Sequence, residues 1–253
     1  MTPWQALAEE LDRWAEAGRV ATFWWRDDDA ATATPALDRL MVMRRALGAP
    51  LAIAAVPARA DAALRDALAA ERGWDILQHG WAHENHAPDG EKKAELGPHR
   101  PPAEIAAELV KGWLALAELF GARLLPALVP PWNRIGAALV PALPALGYAA
   151  LSTFEPRSAR EAAPGLIAVN THVDIVDWPG TRAFCGDAAA IGAACAHLRA
   201  RREGEADAAE PTGLLTHHLA HDNGCWDFIG RFVSETADHR AAEWLSAAEA
   251  FAA

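Results

Sequence analysis

The sequence predicts an α/β fold in which parallel strands alternate with helices and favour a barrel over an open sheet. Three observations predict it. Short apolar segments alternate with helix-period segments along the chain, seven or so such units follow one another without a clear linker, and polar clusters recur where the strand-like segments stop. A length of 253 residues fits one large domain over 1–253. With 52% hydrophobic and 23% charged residues the chain can bury a sizeable core, which excludes a disordered or collagen-like polymer.

The elements follow in order. Trp4, Leu7, Leu11 and Trp14 recur every three or four residues, so the opening segment reads as an amphipathic helix ended by Gly18. Val20 to Trp25 is β-branched and aromatic and stops at a run of acids, as a buried strand ending at a polar rim would. Pro35 to Leu47 reads as helix, Leu51 to Val56 as strand, Ala60 to Ala70 as helix and Trp74 to Gln78 as strand. From Gly80 to Pro102 the chain is polar and rich in glycine and proline, and a loop that long inside a compact domain points to function. Ile105, Leu109, Trp113, Leu116 and Phe120 form a helical stripe, Leu124 to Val129 a strand, Ala137 to Leu146 a helix and Tyr148 to Ser152 a strand. Leu166 to Val176 is strand-like, Ala188 to Arg202 helical, Gly213 to Thr216 strand-like and Phe228 to Phe251 mostly helical.

Charge and composition narrow the function classes. Asp and Glu outnumber Lys and Arg by 34 to 23, giving a net charge of −11 with no basic run, so neither nucleic acid nor an anionic membrane is an expected partner. The three cysteines, Cys185, Cys195 and Cys225, follow no disulfide or CxxC spacing and read as reduced thiols. The N-terminal segment lacks a secretory pattern, and no uncharged apolar stretch reaches the roughly 18 residues of a membrane span, so a cytoplasmic location is expected.

Five clusters at strand ends carry candidate chemistry. Arg26-Asp27-Asp28-Asp29 sets three carboxylates in a row, which is costly unless a cation or an arginine offsets their repulsion; the bland reading is a solvated loop with a helix cap. His79 and His83 are four residues apart, a spacing that on a helical turn lets two imidazoles ligate one ion, with an acid elsewhere as third ligand. In Val129-Pro130-Pro131-Trp132-Asn133-Arg134 the paired prolines stiffen a strand exit that can present the backbone N–H of Trp132 or Asn133 to a ligand, or can be an ordinary turn. Asp174-Ile175-Val176-Asp177-Trp178 sets carboxylates near an indole, suited to orienting a base or stacking a sugar ring. Finally His217, His218, His221 and Asp222 follow a short apolar strand, where imidazole can serve as a general acid. His99, His172, His197 and His239 lie outside these clusters and read as non-catalytic.

Taken in order, these residues resemble the polysaccharide deacetylase family, the NodB-homology hydrolases of carbohydrate esterase family 4. That family carries an Asp pair, an HxxxH, an Arg-x-Pro turn, an Asp-Trp pair and a Leu-x-His. Here Asp28-Asp29, His79 to His83, Pro130-Pro131-Trp132, Asp177-Trp178 and Leu215-Thr216-His217 appear in that sequence. The resemblance implies a distorted (β/α) barrel and a divalent ion, Zn²⁺ or another, held by Asp29, His79 and His83. It further implies Asp28 as the base that activates water and His217 as the acid that protonates the leaving nitrogen. Trp132 would offer a backbone N–H to the oxyanion, with Asn133, Asp177 and Trp178 lining the substrate groove. The alternative register, Asp27 as base and Asp28 as ligand, stays open. Val129 stands where the family has an arginine that tethers the base, so Arg26 or Arg134 is expected to tune it, and Ala30 stands where the family has a glycine. The activity so implied is metal-dependent removal of N-acetyl groups from a sugar or polysaccharide. Two rivals are hydrolysis of a small non-sugar amide, such as a cyclic imide or ureide, and a non-catalytic carbohydrate binder using Trp81, Trp132 and Trp178 as stacking platforms.

Overall fold

A computed structural model describes residues 1–69 and 71–253. Its α-helices are α1 (Pro3–Glu16), α2 (Pro35–Leu47), α3 (Ala62–Ala69), α4 (Pro102–Phe120), α5 (Asp187–Glu203), α6 (Asn223–Ala237) and α7 (Ala247–Ala252). The strands are β1 (Ala21–Ala30), β2 (Leu51–Ala55), β3 (Trp74–His79), β4 (Leu124–Val129), β5 (Ala150–Leu151), β6 (Glu161–Ala163), β7 (Leu166–Ala168), β8 (Val173–Asp174), β9 (Thr212–Thr216) and β10 (Ala242–Leu245). They form one ten-stranded sheet in the order β6-β7-β5-β4-β3-β2-β1-β9-β8, with β10 paired to β1. Every pairing is parallel except β6 with β7. The architecture is α/β, as the alternation predicts, but the sheet does not close: among the described residues β6, β8 and β10 each pair on one side only.

Local chemistry accounts for most boundaries. The Thr2 side chain and Gln5 form a capping box at the start of α1, with Pro3 in the first turn. Helix α1 buries Trp4, Leu7, Leu11 and Trp14, and the Trp14 indole donates to Leu198 O of α5 at 3.3 Å. The Thr34 hydroxyl caps α2, which ends at Gly48 in the left-handed region (φ 68°). In β1 successive side chains take opposite faces, so Phe23 and Trp25 enter the large helix-covered core while Trp24 packs with Ala52, Leu77 and Val129 in a second cluster.

Several elements differ from expectation for identifiable reasons. Strand β1 does not stop before the acids but runs through Arg26, Asp27, Asp28 and Asp29 to Ala30, because each carboxylate finds its own partner. The expected helix over Ala137 to Leu146 is two short 3₁₀ turns, Val140–Ala142 and Pro144–Leu146, since Pro141 and Pro144 each remove a backbone donor. The segment Leu166 to Val176 is two strands, β7 and β8, not one. The C-terminal stretch read as mostly helical contains β10, whose residues Ala21↔Ala242 to Trp24↔Leu245 pair with β1. Helix α3 starts two residues later than expected, and its expected last residue, Ala70, lies outside the described residues. All three cysteines are free, and among the described residues no helix is long and apolar enough to cross a membrane.

Candidate metal centre and active site

The carboxyl ends of β1, β3, β4, β8 and β9 bring the candidate residues to one rim of the sheet, the place where loops can converge on a ligand. His79 is the last residue of β3, paired with Val129 of β4. Its ring Nδ1 lies 2.9 Å from Val129 O. A carbonyl only accepts, so Nδ1 carries a proton and Nε2 is the nitrogen that faces the rim, either protonated against Asp29 or offering its lone pair to an ion. That Nε2 lies 3.1 Å from Asp29 Oδ1, and His83 Nε2 lies 3.2 Å from the same oxygen. The ligand atoms of Asp29, His79 and His83 all fall within 4.8 Å of one another. One carboxylate and two imidazoles, with His79 buried but Asp29 and His83 partly exposed, form a donor set that fits a divalent ion and leaves room beside it.

The two histidines are not on a helix, as the four-residue spacing suggested. Between them the chain turns through Gly80 (φ 56°), and His83 is itself left-handed (φ 58°). A Cβ on Gly80 would run into the Glu95 carboxylate and come within 2.6 Å of Pro131. Glu95, from the long polar loop, is 1% exposed and accepts the N–H groups of Trp81 at 3.0 Å and Ala82 at 2.6 Å, which fixes the turn that delivers His83. Sequence reading passed over Glu95, because nothing local marks an acid that binds a backbone thirteen residues away.

The three adjacent acids have three different environments. Asp27 accepts the Thr216 hydroxyl at 2.6 Å and the His218 N–H at 3.1 Å, and its other oxygen pairs with His218 Nδ1. Burial alone would raise the Asp27 carboxyl, but the charge and hydrogen bond of His218 outweigh it and hold it below its usual range. Asp28 is gripped in two-pronged fashion by Arg26, with Nε to Oδ1 at 2.9 Å and Nη2 to Oδ2 at 3.0 Å. Asp29 is likewise opposed by burial and held low by its hydrogen bond to His79 and the charges of His79, His217 and His83. Asp29 is therefore the carboxylate that meets the imidazoles, while Asp27 is committed to His218. Of the two arginines considered for the base, Arg26 reaches Asp28, whereas Arg134 donates to Lys93 O at the surface.

Trp132 and Asn133 are both left-handed (φ 56° each). The N–H groups of Asn133 and Arg134 are taken by Pro130 O and Pro131 O, and among the described residues the Trp132 N–H finds no acceptor. The Trp132 ring packs on His83 with centroids 4.3 Å apart. Asn133, expected in the substrate groove, instead turns its Oδ1 to Arg26 Nη2 at 2.7 Å. Asp177 is also turned elsewhere: its Oδ2 accepts the N–H and hydroxyl of Thr181 and closes a local turn. The carboxylate facing the rim is Asp174, which accepts the Trp178 indole N–H at 2.8 Å and feels the charge of His217, while burial pushes its pKa up. The DxxDW spacing carries that signal, although adjacency to the indole points to Asp177 instead. Trp178 is 39% exposed and meets His217 edge-on at 4.7 Å. Lys111 lies over the Trp81 ring at 4.4 Å, so that platform is already covered. Of six left-handed non-glycine residues described, four (Asp29, His83, Trp132 and Asn133) stand at this rim, which concentrates the backbone strain there.

The fold is that of the polysaccharide deacetylases and family 4 carbohydrate esterases. The chain aligns with a Mycobacterium smegmatis structure assigned as a polysaccharide deacetylase at a TM-score of 0.65 and 16% identity, covering 92% of this chain and 89% of that one. It aligns with a family 4 acetyl xylan esterase from Clostridium thermocellum, in complex with a cobalt ion, at 0.53 and 15% over 91% and 90%. It also aligns with the peptidoglycan deacetylase PdaC of Bacillus subtilis at 0.55 and 11% over 91% and 90%. No family model matches the chain, and no curated protein matches it.

Proposed function

We propose that the chain is one catalytic domain, a divalent-metal-dependent amide hydrolase that removes N-acetyl groups from a sugar or polysaccharide. The observation that carries this reading is the convergence of Asp29, His79 and His83 on one open point, with His79 held by Val129 O so that Nε2 is the nitrogen that can offer a lone pair. Support comes from the solved structures that share the fold, among them deacetylases and an esterase that holds cobalt. When bound, Zn²⁺ or another divalent ion would supply Lewis-acid polarisation of the acyl group and a more acidic water.

The chain's own residues supply the rest. Asp28 accepts the proton of the attacking water; the Arg26 grip leaves its outward lone pairs for that task. The Trp132 N–H donates to the developing oxyanion, a contact whose loss typically costs about 2.7–4 kcal/mol. His217 protonates the departing nitrogen, its ring held edge-on against Trp178. Trp178, exposed beside His217, gives a sugar ring a face to stack on.

The test is metal analysis of the purified protein together with acetate release from N-acetylglucosamine oligomers, run beside cyclic imides and ureides. One ion per chain and acetate release are expected. Turnover confined to the cyclic amides would keep the site and replace the substrate, and a protein that binds no divalent ion would refute the reading.

A further inference from the structure

We propose that Asn133 is a positioning residue: through Arg26 it ties the turn presenting the Trp132 N–H to the base Asp28, so that oxyanion donor and proton acceptor are held as one body. This rests on the function proposed above and adds to it a residue that contacts neither substrate nor ion.

The Arg26 guanidinium is fully buried, and each of its five N–H groups has an acceptor. Nε and one Nη2 proton hold the two oxygens of Asp28, and the second Nη2 proton holds Asn133 Oδ1 at 2.7 Å. Nη1 donates to Ser152 Oγ at 2.6 Å and to Thr153 O at 3.2 Å. One planar fork thus joins the exit of β1 to the exits of β4 and β5, strands three and four places away in the sheet, which only a strongly curved sheet permits. Because the fork is rigid, moving Asn133 moves the groups that share the guanidinium.

Asn133 has a reason to need holding. It and Trp132 are consecutive left-handed residues, a conformation that costs on the order of 1 kcal/mol or more per residue and persists only where neighbours enforce it. The Pro130 and Pro131 carbonyls bind the turn from one side, through the N–H groups of Asn133 and Arg134. The Arg26 contact binds it from the other, and the unpartnered Trp132 N–H lies between. Alignment of a donor with a developing charge is sensitive to small displacements, so slackening this turn acts on kcat.

The experiment compares Asn133→Ala, Arg26→Lys and the double variant. Asn133→Ala never touches Asp28, yet kcat is expected to fall roughly tenfold with KM within about twofold and metal content unchanged. Arg26→Lys keeps the charge but not the fork and should fall further, and adding Asn133→Ala to it should cost little more, since both act through one strut. Hydrogen exchange over residues 130–134 in the metal-free protein should quicken in both single variants. Unaltered kcat and unaltered exchange in Asn133→Ala would overturn the proposal, as would a loss fully additive with Arg26→Lys. Should Arg26→Lys fail to fold, Ser152→Ala replaces it as the second probe of the same guanidinium. A wild-type protein that binds metal but hydrolyses no amide would instead refute the functional reading.

Discussion

Two regions of this molecule bring two imidazoles and a carboxylate within 4.8 Å, and they are wired in opposite senses. At the rim, His79 Nδ1 donates to Val129 O, which leaves Nε2 as the nitrogen that can offer a lone pair, and Asp29 and His83 are partly open to solvent. In the second group, His172, His197 and Glu210 are all sealed from solvent. There His172 Nδ1 accepts the Gly213 N–H at 3.0 Å, so the proton of the neutral ring must sit on Nε2, pointing at Glu210 Oε2 3.5 Å away. The two rings stack with centroids 3.4 Å apart, and Glu210 accepts the backbone N–H groups of Asn170 and Arg157. The second group is a sealed cluster in which Glu210 is taken up by backbone N–H groups and both imidazole Nε2 atoms lack a hydrogen-bond partner among the described residues. Ligand-type side chains in proximity do not define a metal site; the partner of the far ring nitrogen and an open approach do.

The comparison is most exposed to His79→Ala. Removing that ring should weaken divalent metal binding by at least about a hundredfold and take acetate release with it, read by titration with Zn²⁺ or Co²⁺ and by activity. Gly80→Ala comes next. The added Cβ meets Glu95 and Pro131 in a left-handed position, so the turn carrying His83 must shift. Metal affinity should drop about tenfold and unfolding free energy by more than about 1 kcal/mol in urea. His172→Gln should leave metal content at one ion per chain while lowering stability by about 1–3 kcal/mol, because the buried Gly213 N–H loses its acceptor and the ring stacked on His197 is gone. Two ions in the wild type and one in this variant would break the distinction.

The sealed pair also imposes a pH dependence. Burial, with the neighbouring His172, depresses His197 to about 2 from its ordinary 6.5, and burial also lowers His172. Both therefore stay neutral in the fold but take up protons when unfolded, so the unfolded state binds more protons below pH 6.5 and stability falls as pH falls from there. Each contributes at most about 1.4 kcal/mol per pH unit, and His197→Gln should flatten the decline between pH 6 and about 4 in chemical unfolding.

Much of the fold was legible because it rests on local periodicity. The boundaries of α2 and β4 coincide with the patterned segments Pro35 to Leu47 and Leu124 to Val129. What escaped depended on distant partners. Strand β10 has only four residues and pairs with β1 more than two hundred positions earlier, and the acids extend β1 because His218, Arg26 and His79 meet them there. At the site, His79 and His83 could be paired from their spacing and Asp29 joined to them through the family resemblance, whereas Glu95, Asp174 and the turning of Asn133 towards Arg26 arise from hydrogen bonds that sequence order conceals.

Strand β1 pairs along its length with β10, β9 and β2 in turn, so its first half is completed only by residues 212–245. Such contacts close very long loops, and high contact order slows folding. During synthesis the strand that carries Arg26 and all three acids must wait, its aromatic residues uncovered, until residues as far as Leu245 have left the ribosome. Completion of this strand's pairing is thus a late step, and the interval before it is the stage at which chaperones would matter most.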